Sequence, residues 1–316
     1  MRIIITGGFG YLGQRIGKYF HDAGSTVFLG SRKDRNRPLW LNNGESFVTE
    51  WNNIHSSISK FKSIDLVIHS AGINSLDSLN NPEEAIKLSG ITTSTLINSC
   101  ISNKIKNFLY LSTAHVYSSP LEGTISEDSE LKNSHPYALS NISGERHALQ
   151  ASKLGKINSK ILRISNCFGA PLDINTNCWH LIINDICLQA IKNRQIKLNS
   201  DGSQLRDFIP ISEFCRTLKF ISTNCMNDKD FNIFNIGGKT LSINEITKIV
   251  LDIYENKYNK SVNLIKKNLE DSSRINSFKY KMSWTSKYNF KKIFEPHDEV
   301  ANLLEFINKN KELYRI

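Results

Sequence analysis

From its first residues the chain alternates short runs of β-branched and apolar residues with longer segments whose apolar positions recur at helical spacing. That alternation is the signature of βαβ units around a parallel sheet. "RIIIT" reads as the first strand, "GYLGQRIGKYFHDAG" as a helix that stops at Gly24, and "STVFLGS" as the second strand. "DLVIHSAG" reads as the fourth strand, "NPEEAIKLSGITTSTLINSCISN" as a helix, and "KNFLYLST" as the fifth strand. The two later strands are nearly all apolar until they end in polar residues, as expected of strands buried on both faces that present side chains at their carboxyl ends. A ligand is expected along that edge.

A further helix starts after Ser134, which is placed to cap it, with Pro136 in its first turn and Gly155 near its end. "SKILRISNCFG" reads as a sixth strand with its exit loop. Beyond about residue 170 the alternation fades into helical segments ("CWHLIINDICLQAIKN", "SINEITKIVLDIYENKY") separated by short strands ("QIKLNS", "FNIFNIGG"). The expected architecture is α/β: a Rossmann-type doubly wound parallel sheet over residues 1–170, and a smaller α/β substrate-binding region over 171–316 from which some segments return to the sheet.

Composition changes this picture little. A chain of 316 residues that is 40% hydrophobic and 22% charged, without a low-complexity block, is an ordinary globular protein. The first strand begins at once, with no leader and no apolar run near the roughly 18 residues a membrane span needs, so the expected location is cytoplasmic. The six cysteines (100, 167, 178, 187, 215 and 225) include no Cys-x-x-Cys pair, which favours reduced thiols over a metal site.

The net charge of +10 raises the question of nucleic acid, and residues 256–316 hold 13 Lys or Arg against 7 Asp or Glu. Those charges are interleaved with Asn, Ser and apolar residues. This suits a solvated face and attraction for anionic metabolites better than an RNA-binding tract.

Candidate chemistry begins at "TGGFGYLG", where Gly7, Gly10 and Gly13 lie between a strand and a helix. Glycines there permit a tight turn, and the backbone at Tyr11 and Leu12 opens the helix whose N–H groups and positive dipole end attract a diphosphate. Ser70, Ala71 and Gly72, at the exit of the fourth strand, complete the cofactor-binding set. The second strand ends "FLGSRKDR": Gly30 and Ser31 stand where an NAD-selective site offers a carboxylate, and Arg32 and Lys33 follow. This favours NADP(H), with NAD(H) as the alternative if the basic run is only a solvated loop.

The stretches "TGGFGYLG", "LSTAHVYSSP", "HPYALSNISGE", "LRISNCFGAP", "QLRDFIPISEF" and "FNIGGKTLSINEI", in this order from residue 3 to about 250, resemble an extended short-chain dehydrogenase/reductase of the epimerase and dehydratase family. "SFKYKMSW" near residue 284 resembles that family's closing stretch. The resemblance implies an NAD(P)-dependent enzyme that acts on a nucleotide-diphosphate sugar, and a homodimer paired through the helices of the fourth and fifth βα units. It implies that Thr113 hydrogen-bonds the reacting sugar oxygen while Tyr137 gives or takes its proton. Asn166 and Arg206 match positions that contact the substrate's diphosphate or sugar, Arg through its planar fork of donors. Asn166 could instead tie a loop, and Arg206 could pair internally with Asp207. Asn177, Trp179 and His180 could line a sugar pocket, although an aromatic entering an apolar helix is more often core.

One position departs from the pattern. The family's Lys, four residues after the Tyr, is Asn141 here, and the family's structural Asn aligns with Ser89. A free phenol has a pKa of about 10, so a Tyr base working near neutrality needs a nearby positive charge. Asn141 can still hydrogen-bond a ribose hydroxyl but supplies no charge. Arg146 would lie about 13 Å further along the helix axis, too far to replace it.

Three readings follow. Tyr137 can act as a neutral acid, which suits reduction of a keto-sugar at C4 better than the oxidation that opens a 4-epimerase cycle. His115, in "STAHVY", can take over proton transfer. Or hydride transfer is lost, and the chain is a silent NAD(P)-binding or RNA-binding protein. The first is favoured, because Thr113, Tyr137 and most other motifs are intact.

Overall fold

The computed structural model describes residues 1–267 and 277–314. The first part of the chain forms β1 (Arg2–Thr6), α1 (Tyr11–Asp22), β2 (Thr26–Ser31), β3 (Gly44–Val48), α2 (Ile54–Ser59), β4 (Leu66–His69), α3 (Ser75–Asn80), α4 (Pro82–Ser102), β5 (Asn107–Thr113), β6 (Gly123–Ile125), α5 (Pro136–Lys153) and β7 (Asn158–Ile164). The rest forms β8 (Asn166–Phe168), α6 (Ile182–Asn193), β9 (Gln195–Leu198), β10 (Leu205–Pro210), α7 (Ile211–Asn224), β11 (Ile233–Ile236), β12 (Lys239–Ser242), α8 (Ile243–Tyr258), β13 (Asn263–Lys266), β14 (Phe278–Tyr280), α9 (Trp284–Lys287) and α10 (Pro296–Lys309).

The chain divides into two compact units. One comprises Met1–Ser119, Glu127–Ile164 and Cys215–Asn235; the other comprises Pro120–Ser126, Ser165–Phe214 and the chain from Ile236 onward. The first unit holds a seven-stranded sheet in the order β11-β7-β5-β4-β1-β2-β3. This is the expected Rossmann-type sheet, with β1 beside β4 and β2 in parallel register. Its strands are buried on both faces, so Ile3, Ile4, Ile5, Val67, Ile68, Phe108 and Leu109 pack without alternation.

Helix α1 buries Gly13, Ile16, Gly17 and Phe20, positions three and four apart on one face. Gly17 lets it approach closely: a Cβ there would lie 2.9 Å from the Leu29 side chain of β2. Gly24 and Gly155 follow α1 and α5 with positive φ, as C-terminal stops.

Two expectations need correction. The cap of α5 is His135, not Ser134: its side chain accepts the backbone N–H of Tyr137, which leaves Ser134 one residue outside the helix. The exit loop of "SKILRISNCFG" is itself partly a strand. β7 ends after Ile164, where the Ser165 N–H turns to the carbonyl of Ile236, and Asn166–Phe168 pair with β10 in a separate sheet of order β12-β10-β8.

The second unit has its own core, built from faces of α6, α8 and α10 around residues such as Ile186, Ile246, Val250, Leu303 and Leu304. Trp179 packs against that core and stacks on Phe306. Asn177 and His180 are exposed.

Sequence reading passed over the strongest polar element of the first unit. Glu145 of α5 and Arg163 of β7 form a buried ion pair, with the Nη2 and Nε donors 2.7 and 3.0 Å from the two carboxylate oxygens. The Ser112 hydroxyl of β5 donates to the same carboxylate. Arg163 also donates to the Tyr117 hydroxyl at 2.9 Å, which in turn donates to Asn235 at 2.6 Å. The pair thus locks α5 onto β5 and β7.

Breaking a buried pair from one side strands a charge, which costs about 3–5 kcal/mol, whereas replacing both partners by apolar groups costs far less. Urea unfolding of Glu145→Leu and Arg163→Met should each show a loss in that range, and the double variant should lose less than their sum. A loss below about 1 kcal/mol for either single variant would contradict this role.

Candidate active site

The turn after β1 is shaped first by the protein's own packing. Gly7 has φ +67°, and a Cβ on it would lie 2.7 Å from the Ala71 nitrogen. A Cβ on Gly13 would lie 2.2 Å from the Gly7 carbonyl oxygen, and one on Gly8 2.9 Å from Leu29 Cα. Close contacts therefore account for those three. Gly10 is less constrained: its φ of −78° suits any residue, and a Cβ there would make one tight contact, 3.2 Å from the Gly7 oxygen.

Gly10 is also the N-cap of α1. No side chain caps it and no acid lies in the first turn, so nothing carried by the helix offsets its positive end. The exit of β4 lies against this turn: Ser70 N–H donates to the Thr6 carbonyl at 3.1 Å, Ala71 abuts Gly7, and a Cβ on Gly72 would enter open space. An arrangement of small residues at an unneutralised helix N-terminus fits the diphosphate of a dinucleotide.

Position 30 lies beside the turn, and the Gly8 N–H donates to its carbonyl at 2.9 Å. A Cβ on Gly30 would come within 2.6 Å of the Thr49 methyl and 2.9 Å of the Phe47 ring, so a carboxylate there would have to displace both side chains. Arg32 and Lys33 follow on an exposed loop. Arg35, a position sequence reading did not single out, sets its guanidinium 5.5 Å from the ring of Phe9 in the glycine turn.

Beneath the turn lies His69, which sequence reading also left out. Its Nδ1 faces the Thr6 hydroxyl at 2.6 Å and its Nε2 faces the Thr93 hydroxyl at 3.2 Å. Burial pushes its pKa down to about 3, so it is a neutral structural imidazole.

Thr113 ends β5 and Tyr137 enters α5, and the structure brings them together. Thr113 is buried and accepts the His115 N–H at 3.2 Å, capping the short 3-10 turn Ala114–Val116. This leaves the Thr113 proton for a partner. The Tyr137 phenol is buried, which raises its pKa; hydrogen bonds from Thr113 and Asn141 act in the opposite direction and do not cancel the rise. Asn141 also donates through Nδ2 to the main-chain carbonyl of Tyr137 at 2.8 Å. No cation among the described residues acts on the phenol. Arg146 is exposed, on the surface of the same helix. Ser89 lies partly buried on α4. His115 adds its backbone to the site: its carbonyl accepts from Asn133 at 2.6 Å.

In the second unit, Asn166 donates to the main-chain carbonyl of Asp207 at 2.8 Å, tying β8 to β10. Arg206 is not paired with Asp207. The Asp207 carboxylate accepts from Gly238 N–H at 2.9 Å, while Arg206 donates to Gln204 at 2.9 Å and keeps its Nε buried without a partner.

Comparison with known proteins identifies the arrangement. The profile of the NAD dependent epimerase/dehydratase family matches residues 3–237. The chain belongs to that family. Members named for different reactions share the same identity with it, over different lengths. It is 27% identical over 255 residues to a putative UDP-glucose 4-epimerase of Methanocaldococcus jannaschii, covering 78% of this chain and 81% of that one. It is also 27% identical over 189 residues to a dTDP-glucose 4,6-dehydratase of Streptomyces griseus, covering 60% of this chain and 56% of that one. The structure of MoeE5 in complex with UDP-glucose and NAD shares the fold at a TM-score of 0.77 and 20% identity, over 98% of this chain and 100% of that one.

The geometry separates the glycines by role. Gly10→Ala, whose methyl makes one tight contact with the Gly7 oxygen, should leave the melting temperature within a few degrees of wild type and weaken binding of a nicotinamide dinucleotide by at least about tenfold, read by nucleotide fluorescence. Equal affinity in both proteins would remove Gly10 from the cofactor site.

Proposed function

We propose that this epimerase/dehydratase family member reduces the C4 keto group of a nucleotide-diphosphate sugar, with Tyr137 as the proton donor. One observation carries the reading: the Tyr137 phenol is buried, its pKa is raised, and no cation among the described residues offsets the shift. Such a group is protonated at neutral pH, so it can give a proton to a developing alkoxide but is poorly suited to take one from an alcohol. Thr113, whose hydroxyl accepts from His115, has its own proton free to share between the sugar oxygen and Tyr137.

A bound nicotinamide dinucleotide would supply the hydride. The backbone of Gly7, Gly10, Tyr11, Leu12 and Gly13 would hold its diphosphate, Ser70 to Gly72 would flank it, and Asn141 would reach a ribose hydroxyl. We favour NADP(H): a carboxylate at position 30 would collide with Thr49 and Phe47, and Arg32, Lys33 and Arg35 offer charge to a 2′-phosphate. In the second unit, Arg206 has no carboxylate partner among the described residues, which suits recognition of the substrate's diphosphate. Asn166 offers its remaining amide oxygen to the sugar.

The second reading is a 4-epimerase, favoured by relatives of that name. It begins by oxidising an alcohol and so needs the phenolate that the surroundings of Tyr137 disfavour.

Single-turnover consumption of NADPH with UDP- and dTDP-linked 4-keto-6-deoxyhexoses tests the proposal. Wild type should consume NADPH faster than NADH, and Tyr137→Phe should be slower by about 10² to 10⁴-fold. Consumption that is absent in wild type and appears in Asn141→Lys would instead make the natural protein a silent binder.

A further inference from the structure

Four hydrogen bonds connect Thr113 to Tyr137 along a path that runs through a loop residue. His115 N–H donates to Thr113 Oγ1 at 3.2 Å, and the His115 carbonyl accepts from Asn133 Nδ2 at 2.6 Å. Asn133 Oδ1 accepts the His135 N–H at 2.9 Å, and His135 Nδ1 accepts the Tyr137 N–H at 3.1 Å. The polarity of the path is set by the main chain. A carbonyl can only accept and an N–H can only donate, so the Asn133 amide has one orientation that satisfies both neighbours. For the same reason His135 must present an unprotonated Nδ1, with any ring proton on Nε2.

We infer that Asn133 and His135 are positioning residues: they clamp the turn that carries Thr113 to the first turn of the helix that carries Tyr137, and so set the distance between the two hydroxyls. The inference rests on the assignment of Thr113 and Tyr137 to proton transfer. Three features support it. Thr113 closes a strand and Tyr137 opens a helix, and the Glu145 cluster that joins these elements grips α5 about two turns beyond Tyr137, so the first turn of the helix needs a link of its own. The segment between the turn and α5 contains only one short strand, Gly123–Ile125, so ordinary ladder bonds do little to hold its last residues. And Asn133 uses its donor and its acceptor on opposite sides of the join, which an ordinary helix cap does not do.

A His caps this helix. Ser or Asn would satisfy the N–H of Tyr137 equally well. The main-chain N–H of His135 is held by Asn133, which fixes the approach of the chain to Pro136.

The test reads Tyr137 directly, without turnover. In protein labelled with ¹³C at the tyrosine ring Cζ, the Tyr137 resonance is the one lost in Tyr137→Phe. Thr113→Ala should displace it by removing the hydrogen bond. Asn133→Ala should displace it in the same direction by at least half as much, and the double variant should go no further than Thr113→Ala alone, as for residues acting on one contact. Asn133→Asp, which keeps the acceptor and loses the donor, should behave like Asn133→Ala. His135→Ala should also displace the signal, while His135→Ser, a sound cap, should restore part of it.

NADPH consumption with UDP-4-keto-6-deoxyglucose provides the kinetic arm. kcat should fall between roughly tenfold and hundredfold in Asn133→Ala, with KM changed less than about twofold. A Tyr137 resonance unmoved by Asn133→Ala in folded protein would overturn the inference, as would additive shifts in the double variant. A coupled NMR response without NADPH consumption in wild type would leave the clamp standing and defeat the reductase reading instead.

Discussion

The buried Glu145–Arg163 pair is the interaction on which the site depends. An ion pair away from water holds only when the remaining donors and acceptors are also satisfied. Here Ser112, Tyr117 and the Glu127 carbonyl do this, so strands β5 and β7 and helix α5 meet at one cluster. Thr113 follows Ser112 by one residue, and Tyr137 lies two turns before Glu145 on the same helix. The pair therefore sets which face of α5 looks toward the end of β5, and Asn133 and His135 refine what the pair sets coarsely.

The main divisions of the fold were legible in the sequence because each has a local cause. Continuous apolar runs mark the strands of a sheet covered on both faces, and glycines at 24 and 155 mark helix ends where φ must be positive. The break at Ser165 was not legible. "LRISNCFG" is uniformly compatible with a strand, and the change of sheet follows from partners far along the chain, Ile236 and Phe208. The cap at His135 was missed for a similar reason. Ser134 has the better intrinsic preference, but the hydrogen bond of His135 to Tyr137 and that of its own N–H to Asn133 decide the geometry.

Of the candidate site, the motif residues were legible and their surroundings were not. Gly7, Gly10, Gly13, Thr113, Tyr137 and Asn141 stand out by type and spacing. Glu145, Arg163, His69 and Arg35 look like ordinary helix, strand and loop residues until their partners are known. The status of Arg206 also needed coordinates, because adjacency to Asp207 in sequence suggests a pair, whereas the two side chains of successive strand residues point to opposite faces.

The chemistry turns on a single missing charge. With Asn141 rather than a cation four residues after Tyr137, burial is the largest influence on the phenol, and two neutral hydrogen bonds do not outweigh it. The measurement closest to this claim is a spectrophotometric titration of tyrosinate, taken as the difference between the protein and its Tyr137→Phe variant, in natural and Asn141→Lys backgrounds. Tyr137 should ionise above the ordinary phenol value of about 10 in the natural protein and well below it once Lys is present. A Tyr137 that ionises near neutrality with Asn141 in place would contradict it.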